Sequence, residues 1–347
     1  MVEALSKHGG IDLSTWLPPG PVPSGVVRIT TTADYDWLQR LMDDGGIAHL
    51  LRHKPLQGCI AATTLLRRQH RAFTRTPADL YHVNWLQNAL AMPSNPLPAL
   101  ITVLGTDMRL MRLPGIRTLL RRNFRSRPVA ICPNARWMQP ELQSTFGDLA
   151  SVRFVPFGID ARWYEVERRF ESSERPKWLC VSRLTADKIG PLFEWTAPRF
   201  ARGHAELHLF GPMQEQLTIP DWVKWHGPVA PDSLREKWFP EAHGLITLSR
   251  HSEGRPQVIL EAMASGLPII ASSLPAHDDL LSGGEGGEVC TSPAETLAAL
   301  ETLAAPVANR TMGLRGRDRM LADAGTWDDC ARRYATLYRQ LLDQAKA

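Results

Sequence analysis

The apolar positions of this chain change period repeatedly, and each change predicts an element. Between Leu245 and Ser273 the chain reads LITLSRHSEGRPQVILEAMASGLPIIASS. Leu245 to Leu248 is a short apolar run, the pattern of a buried strand. Ser249 to Arg255 is polar and turn-like, with Gly254 free to take backbone conformations that other residues avoid. Pro256 suits the first turn of a helix, and Val258, Ile259, Ala262 and Met263 keep helical spacing behind it. Gly266 followed by Pro268 ends that helix, and Pro-Ile-Ile-Ala-Ser is the next buried strand. The stretch is strand, loop, helix, strand, with Glu253 on the loop and Glu261 on the helix.

The same alternation runs through the rest of the chain. Residues 1–10 look like the last turns of a helix ended by glycine. Strands are expected at 11–17, 26–31, 79–85, 99–104, 129–132 and 154–156, with helices at 35–42, at 65–73 and from about Trp85. A charged, poorly periodic segment follows at 161–176. Beyond it, strands are expected at 178–182, 206–210, 223–226 and 287–290, and helices at 191–202, 231–238 and 293–303. Trp327, Cys330, Tyr334, Leu337 and Leu341 line one face of a long terminal helix. Strands alternating with helices imply an α/β chain with parallel, doubly wound sheets. The expected division is a first domain at 1–160, a linker at 161–176, a second domain at 177–325 and a terminal helix at 326–347.

Composition narrows the class. At 347 residues, two domains are the natural expectation. A hydrophobic fraction of 44% and a charged fraction of 22% are those of a soluble globular protein. The apolar runs fall short of a membrane span, and the first residues do not form a signal peptide. Five scattered cysteines without CxxC spacing argue against disulfides and a zinc site, so a reducing cytoplasm is expected.

Charge changes the picture further. Residues 1–160 hold 18 Lys and Arg against 11 Asp and Glu, whereas the remainder holds 22 against 25. The excess is arginine in two stretches, 67–75 and 109–127. These could be solvated helix faces, or they could attract anionic lipid headgroups or an acidic acceptor. No aromatic interleaving or known binding module supports a nucleic-acid partner.

The motifs carry more specific chemistry. A loop entering a helix N-terminus presents unpaired N–H groups and a positive dipole end, a site for anionic or hydroxyl oxygens. Glu261, about a turn and a half inside an apolar helix, needs a partner such as a vicinal diol. Arg183 and Lys188 follow a buried strand, where open α/β sheets bind ligands. The pair could clamp a diphosphate, or be two solvated charges. Phe210-Gly211-Pro212 and His226-Gly-Pro-Val229 end two strands in turns that let a ligand approach the backbone, or are plain turns.

The segment Glu253 to Pro268 resembles the Glu-x7-Glu signature of retaining family 4 glycosyltransferases, the glycosyl transferases group 1. Val181-Ser-Arg-Leu-Thr-Ala-Asp-Lys-Ile-Gly190 and Val155-Pro-Phe-Gly-Ile-Asp160 match in the family's order. The resemblance covers about 150–345 well and the first part loosely. It implies two Rossmann-like domains facing a central cleft, the GT-B arrangement, with the terminal helix crossing back onto the first domain. It implies that Arg183 and Lys188 hold the donor's diphosphate and that Glu261 takes the ribose hydroxyls. Glu253 would meet the transferred sugar and stabilise positive charge at its anomeric carbon, with backbone N–H groups of Gly254 and Arg255 on the same sugar. The loops carrying Gly211 and Val229 would line the nucleotide pocket.

One position departs from the family. Leu104 stands where many members carry a histidine before Gly105-Thr106-Asp107, so His82 on the neighbouring strand is a candidate substitute. Thr106 and Asp107 are acceptor-side candidates, Asp107 alternatively a helix cap. The match of residues 4–16 to the family's second βα step also leads us to expect a first domain lacking its N-terminal βα unit.

The function expected is metal-independent transfer, with retention, of a sugar from a nucleotide diphosphate donor to a glycan or lipid-linked acceptor. Such a step belongs to cell-surface polysaccharide or lipopolysaccharide synthesis. No cofactor beyond the donor is expected. The chain would work in the cytoplasm, peripherally at the inner face of the membrane, with its basic first domain toward anionic lipid. The alternatives are a non-catalytic partner subunit of the same fold and another nucleotide-sugar enzyme.

Overall fold

The computed structural model describes residues 1–169 and 175–346. The chain divides into two compact units: residues 1–155 with 328–347, and residues 156–327.

The first unit begins with helix α1 (Val2–Ser6) and strands β1 (Leu13–Thr15) and β2 (Val26–Arg28), which pair in parallel as a separate two-stranded sheet. Helices α2 (Thr32–Asp43), α3 (Gly46–His53) and α4 (Pro55–Arg75) follow. Strands β3 (Tyr81–Asn84), β4 (Ala99–Val103), β5 (Val129–Pro133) and β6 (Ser151–Val152) then form a parallel sheet in sequence order. Every residue of β4 and β5 is buried, as expected for central strands covered on both faces. Helices α5 (Asp107–Leu110), α6 (Ile116–Phe124) and α7 (Gln139–Phe146) connect them, with Phe124 and Phe146 edge to face at 5.4 Å in the core.

Three expectations are corrected in this unit. The strand expected at 154–156 is β6 at 151–152, because Pro156 cannot donate to a ladder. The helix expected from Trp85 is a single 3-10 segment, Leu86–Ala91, ended before Pro93. The basic helix expected at 65–73 begins ten residues earlier, at Pro55.

The second unit is a six-stranded parallel sheet of β7 (Lys177–Val181), β8 (Glu206–Phe210), β9 (Val223–Trp225), β10 (Gly244–Thr247), β11 (Ile269–Ser272) and β12 (Gly287–Cys290). Their order is β12-β11-β10-β7-β8-β9. The order reverses between β7 and β10, which makes this a doubly wound sheet with its switch point at that pair. Helices α8 (Ala186–Ile189), α9 (Leu192–Phe200), α10 (Pro231–Ser233), α11 (Gln257–Ala264), α12 (Pro275–Leu281), α13 (Pro293–Ala304) and α14 (Pro306–Asp323) complete the unit. Leu179, Leu245 and Ile269 pack one face of the sheet, and Trp178, Leu207, Ile246 and Ile270 the other.

The segment 161–176 is not a bare linker. Trp163, Tyr164 and Val166 are buried in the second unit's core, with Trp163 against Phe239 at 5.0 Å. Arg168 donates to the carbonyls of Gly266 at 2.9 Å and Ala242 at 2.6 Å, and to Asn309 Oδ1 at 2.8 Å. Charge masked the aromatic anchors there. Residues 170–174 of this expected linker lie outside the described residues.

Helix α15 (Trp327–Lys346) returns the chain to the first unit and buries Cys330, Ala331, Tyr334, Ala335, Tyr338 and Leu341.

Candidate functional site in the second unit

The carboxyl ends of β7 and β10 carry most of the candidate residues. After β7 the chain turns through Ser182, Arg183 and Leu184, and Thr185 caps α8 by accepting from Lys188 N at 3.3 Å. After β10, Ser249 and Arg250 open the loop that carries Glu253 into α11. The two loops are tied by Arg250 N donating to Asp187 O at 2.7 Å. This brings Lys188 Nζ onto Glu253 Oε1 as an ion pair across the switch point. Both side chains are mostly buried, so the pair is shielded from solvent screening.

Arg183 lies beside the pair in sequence but more open to solvent, touching Gln214 Oε1 at 3.4 Å. Gly211, at the end of β8, is held by Gly211 N donating to Gly227 O at 2.8 Å. A Cβ on Gly211 would meet Ser182 O at 1.8 Å, so this turn admits only glycine next to the Arg183 loop. His226 stacks on Phe210 at 4.7 Å and bonds His208 Nδ1 at 2.9 Å, giving the β9 end an aromatic face. Val229, three residues on, is partly buried against the core.

Gly254 is buried. The Arg255 side chain, only 2% exposed, turns inward and pairs with Asp323 of α14 at 2.5 Å. What Arg255 can offer a ligand is backbone, and its guanidinium fixes the loop. Glu261 is partly buried on α11, and burial pushes its pKa up to about 7, helped by the nearby Asp160 carboxylate and opposed by a hydrogen bond from Gln257. Asp160 is itself clasped by Arg162, Nη2 to Oδ2 at 2.6 Å.

The acceptor-side candidates sit in the first unit. His82 uses both ring nitrogens internally, Nδ1 with Tyr338 Oη at 2.5 Å and Nε2 with Thr102 Oγ1 at 2.8 Å. Burial lowers its pKa to about 4, so it is a neutral link between β3 and α15 rather than a ligand. Asp107 is buried and accepts from Leu86 N at 3.1 Å, Leu104 N at 3.1 Å and Gly105 N at 2.7 Å. Its carboxylate clasps the backbone. Thr106 is exposed.

Sequence reasoning did not find Gln214 or Asp323, which support Arg183 and Arg255. No motif marks either, since their meaning depends on partners 31 and 68 residues away.

Residues 175–305 match the family described as Glycosyl transferases group 1. A GDP-mannose-dependent alpha-(1-6)-phosphatidylinositol monomannoside mannosyltransferase of Mycobacterium tuberculosis is 25% identical over 268 residues, 68% of each chain. The enzyme of that name from Mycolicibacterium smegmatis is 24% identical over 265 residues, 67% of this chain and 68% of its own. Among solved structures, sucrose-phosphate synthase from Thermosynechococcus elongatus superposes with a TM-score of 0.64 at 18% identity, over 82% of this chain and 79% of that one. Anabaena HepE in complex with UDP and glucose gives 0.59 at 14% identity, over 84% and 83%. The fold is the GT-B fold of these glycosyltransferases.

Proposed function

We propose that this chain, a glycosyltransferase of the GT-B fold, transfers a sugar with retention from a nucleoside diphosphate donor to a hydroxyl of a lipid-linked or glycan acceptor. The observation that carries the reading is the Lys188–Glu253 pair at the switch point of the second unit's sheet. A cation and a carboxylate side by side where such sheets bind nucleotides support a diphosphate on the one and a sugar on the other.

The donor's diphosphate takes Glu253's place on Lys188, and Arg183 closes on the same phosphates. As the bond from the anomeric carbon to the phosphate oxygen breaks, its electron pair leaves with the diphosphate, and both cations stabilise the growing charge. The acceptor oxygen bonds to the carbon on the face the diphosphate leaves, and its proton passes to the departing phosphate oxygen. Glu253, released from Lys188, faces the positive charge at the anomeric carbon. Backbone N–H groups of Gly254 and Arg255 hold the sugar, Glu261 takes the ribose diol, and the Gly211 and Val229 loops border the nucleotide. The reading requires no metal or cofactor.

The names of the two mannosyltransferase relatives make GDP-mannose the first donor to try, and an anionic membrane lipid bearing a glycan the first acceptor. Cell-surface glycan or lipopolysaccharide synthesis on the cytoplasmic side of a membrane is the setting that fits. Among the described residues no helix is long and apolar enough to cross a membrane. Peripheral attachment would rest on exposed Arg67, Arg71, Arg75, Arg109, Arg112, Arg122 and Arg125, with Leu56 82% and Ile60 66% exposed on α4.

The deciding experiment is release of GDP or UDP from a panel of nucleotide sugars with and without a lipid extract as acceptor. Acceptor-dependent release supports the reading. A protein that binds nucleotide but never releases it in turnover would instead be a non-catalytic member of the fold.

A further inference from the structure

One buried group that the mechanism above leaves unused is tied to the loop that carries Glu253. His277 lies in the first turn of α12, just after β11, and is wholly buried. A carbonyl only accepts, so the 2.8 Å contact to Ser272 O places the proton on Nδ1 and leaves Nε2 with the lone pair. Ser272 Oγ donates to Ser249 O at 2.5 Å, which pins the ring's support to the base of the Glu253 loop. Nε2 is buried and has no hydrogen-bond partner among the described residues. Three charged groups act on the ring: Glu253 and Asp278 favour its protonation and Lys188 opposes it, while burial keeps it neutral. An unmet buried acceptor is costly, and it marks a place where a donor is wanted.

We propose that His277 is a positioning residue for Lys188, its Nε2 lone pair accepting an N–H of the ammonium once the donor's diphosphate has displaced Glu253. The inference rests on the reading of Lys188 as a diphosphate ligand. An ammonium has three N–H donors and no acceptor. In this structure one of them goes to Glu253. When Glu253 turns to the sugar, a phosphate oxygen takes one donor and Nε2 another, so Lys188 is aimed rather than merely attracted. The neutral ring also adds no repulsion to the cation it holds.

The test uses the whole chain, with GDP and guanosine as calorimetric probes. His277→Asn keeps an N–H for Ser272 O but places no acceptor where Nε2 lies. It should weaken GDP roughly tenfold, the size of one charge-assisted hydrogen bond, and leave guanosine unchanged. His277→Gln, whose Oε1 reaches the place of Nε2, should recover most of the GDP affinity. The proposal is overturned if His277→Asn binds GDP like the wild type, if it weakens GDP and guanosine alike, or if His277→Gln is as weak as His277→Asn. Lys188→Ala separates the two readings. Unchanged GDP affinity in that variant sinks the diphosphate role of Lys188, whereas a loss there without one in His277→Asn sinks only the role of His277. A measurement on unaltered protein needs no variant to fold: with 15N-labelled histidine, the His277 Nε2 resonance should move upfield on adding GDP and not on adding guanosine. A resonance that ignores GDP overturns the proposal.

Discussion

Glu261 is the residue whose chemistry is most sensitive to its surroundings. Its usual value of 4.5 is raised to about 7 by burial. The sign follows from which state keeps the proton. Below about pH 4.5 both folded and unfolded chains are protonated at this position. Between there and about 7 only the folded chain is, so its stability falls as pH rises, and above about 7 the loss is complete, at most on the order of 3 kcal/mol. Glu261→Gln should therefore raise the melting temperature more at pH 8 than at pH 5, by scanning calorimetry. A ribose diol donating to the carboxylate favours the charged form, so GDP binding near pH 6.5 should release a proton. Calorimetry in buffers of different ionisation enthalpy detects it. Glu253→Gln removes the competitor for Lys188, and the expected result is GDP bound several-fold tighter with turnover strongly reduced. Equal or weaker GDP binding in that variant would show that the pair does not gate the site. The placement of Lys188 and Glu253 after strands and of Glu261 on a helix was legible because those elements announce themselves by period. What engages His82, Tyr338, lies 256 residues away, so its internal role was not legible.

At the scale of elements, two of the helices without a sequence expectation, α3 and α14, escaped it for different reasons. Helix α3 is short and largely exposed, so it shows no core stripe. Helix α14 has a stripe, but of the wrong chemistry: its buried positions are Asn309, Gly313, Gly316 and Met320. Glycines there let the backbones touch, since a Cβ on Gly313 would lie 2.0 Å from Gly266 O and one on Gly316 2.7 Å from Gly286 Cα. Hydrophobic period cannot reveal packing by absent side chains. Gly313→Ala should cost about 1–3 kcal/mol through overpacking, read from urea unfolding. Because α14 also carries Asp323, which holds Arg255, the same substitution should weaken GDP binding. The strands of the second unit, by contrast, were legible almost to the residue, because buried parallel strands are continuous apolar runs.

For the whole molecule, the charge asymmetry survives folding only in part. Arg68 pairs with Asp34, Arg117 with Glu141 and Arg121 with Asp148, and Arg127 is buried against backbone carbonyls. The other seven arginines of the two stretches, all exposed, are what a membrane would meet. Sedimentation with vesicles containing anionic lipid should show binding that falls steeply as salt rises, since the Debye length is about 10 Å at 0.1 M. Substituting Arg67, Arg71 and Arg75 with Ser should reduce it without changing the melting temperature. Binding that ignores lipid charge would refute an electrostatic surface.

The return of α15 to the first unit has a consequence for the order of events at the ribosome. His82 waits for Tyr338, so this contact of the first unit forms only after the whole second unit has been made. The second unit, an uninterrupted stretch from 156 to 327, is free to fold as it emerges. The unit that holds both β3 and α15 is thus completed after the unit encoded between them, and the face that α15 covers is what a nascent chain would show to chaperones until then.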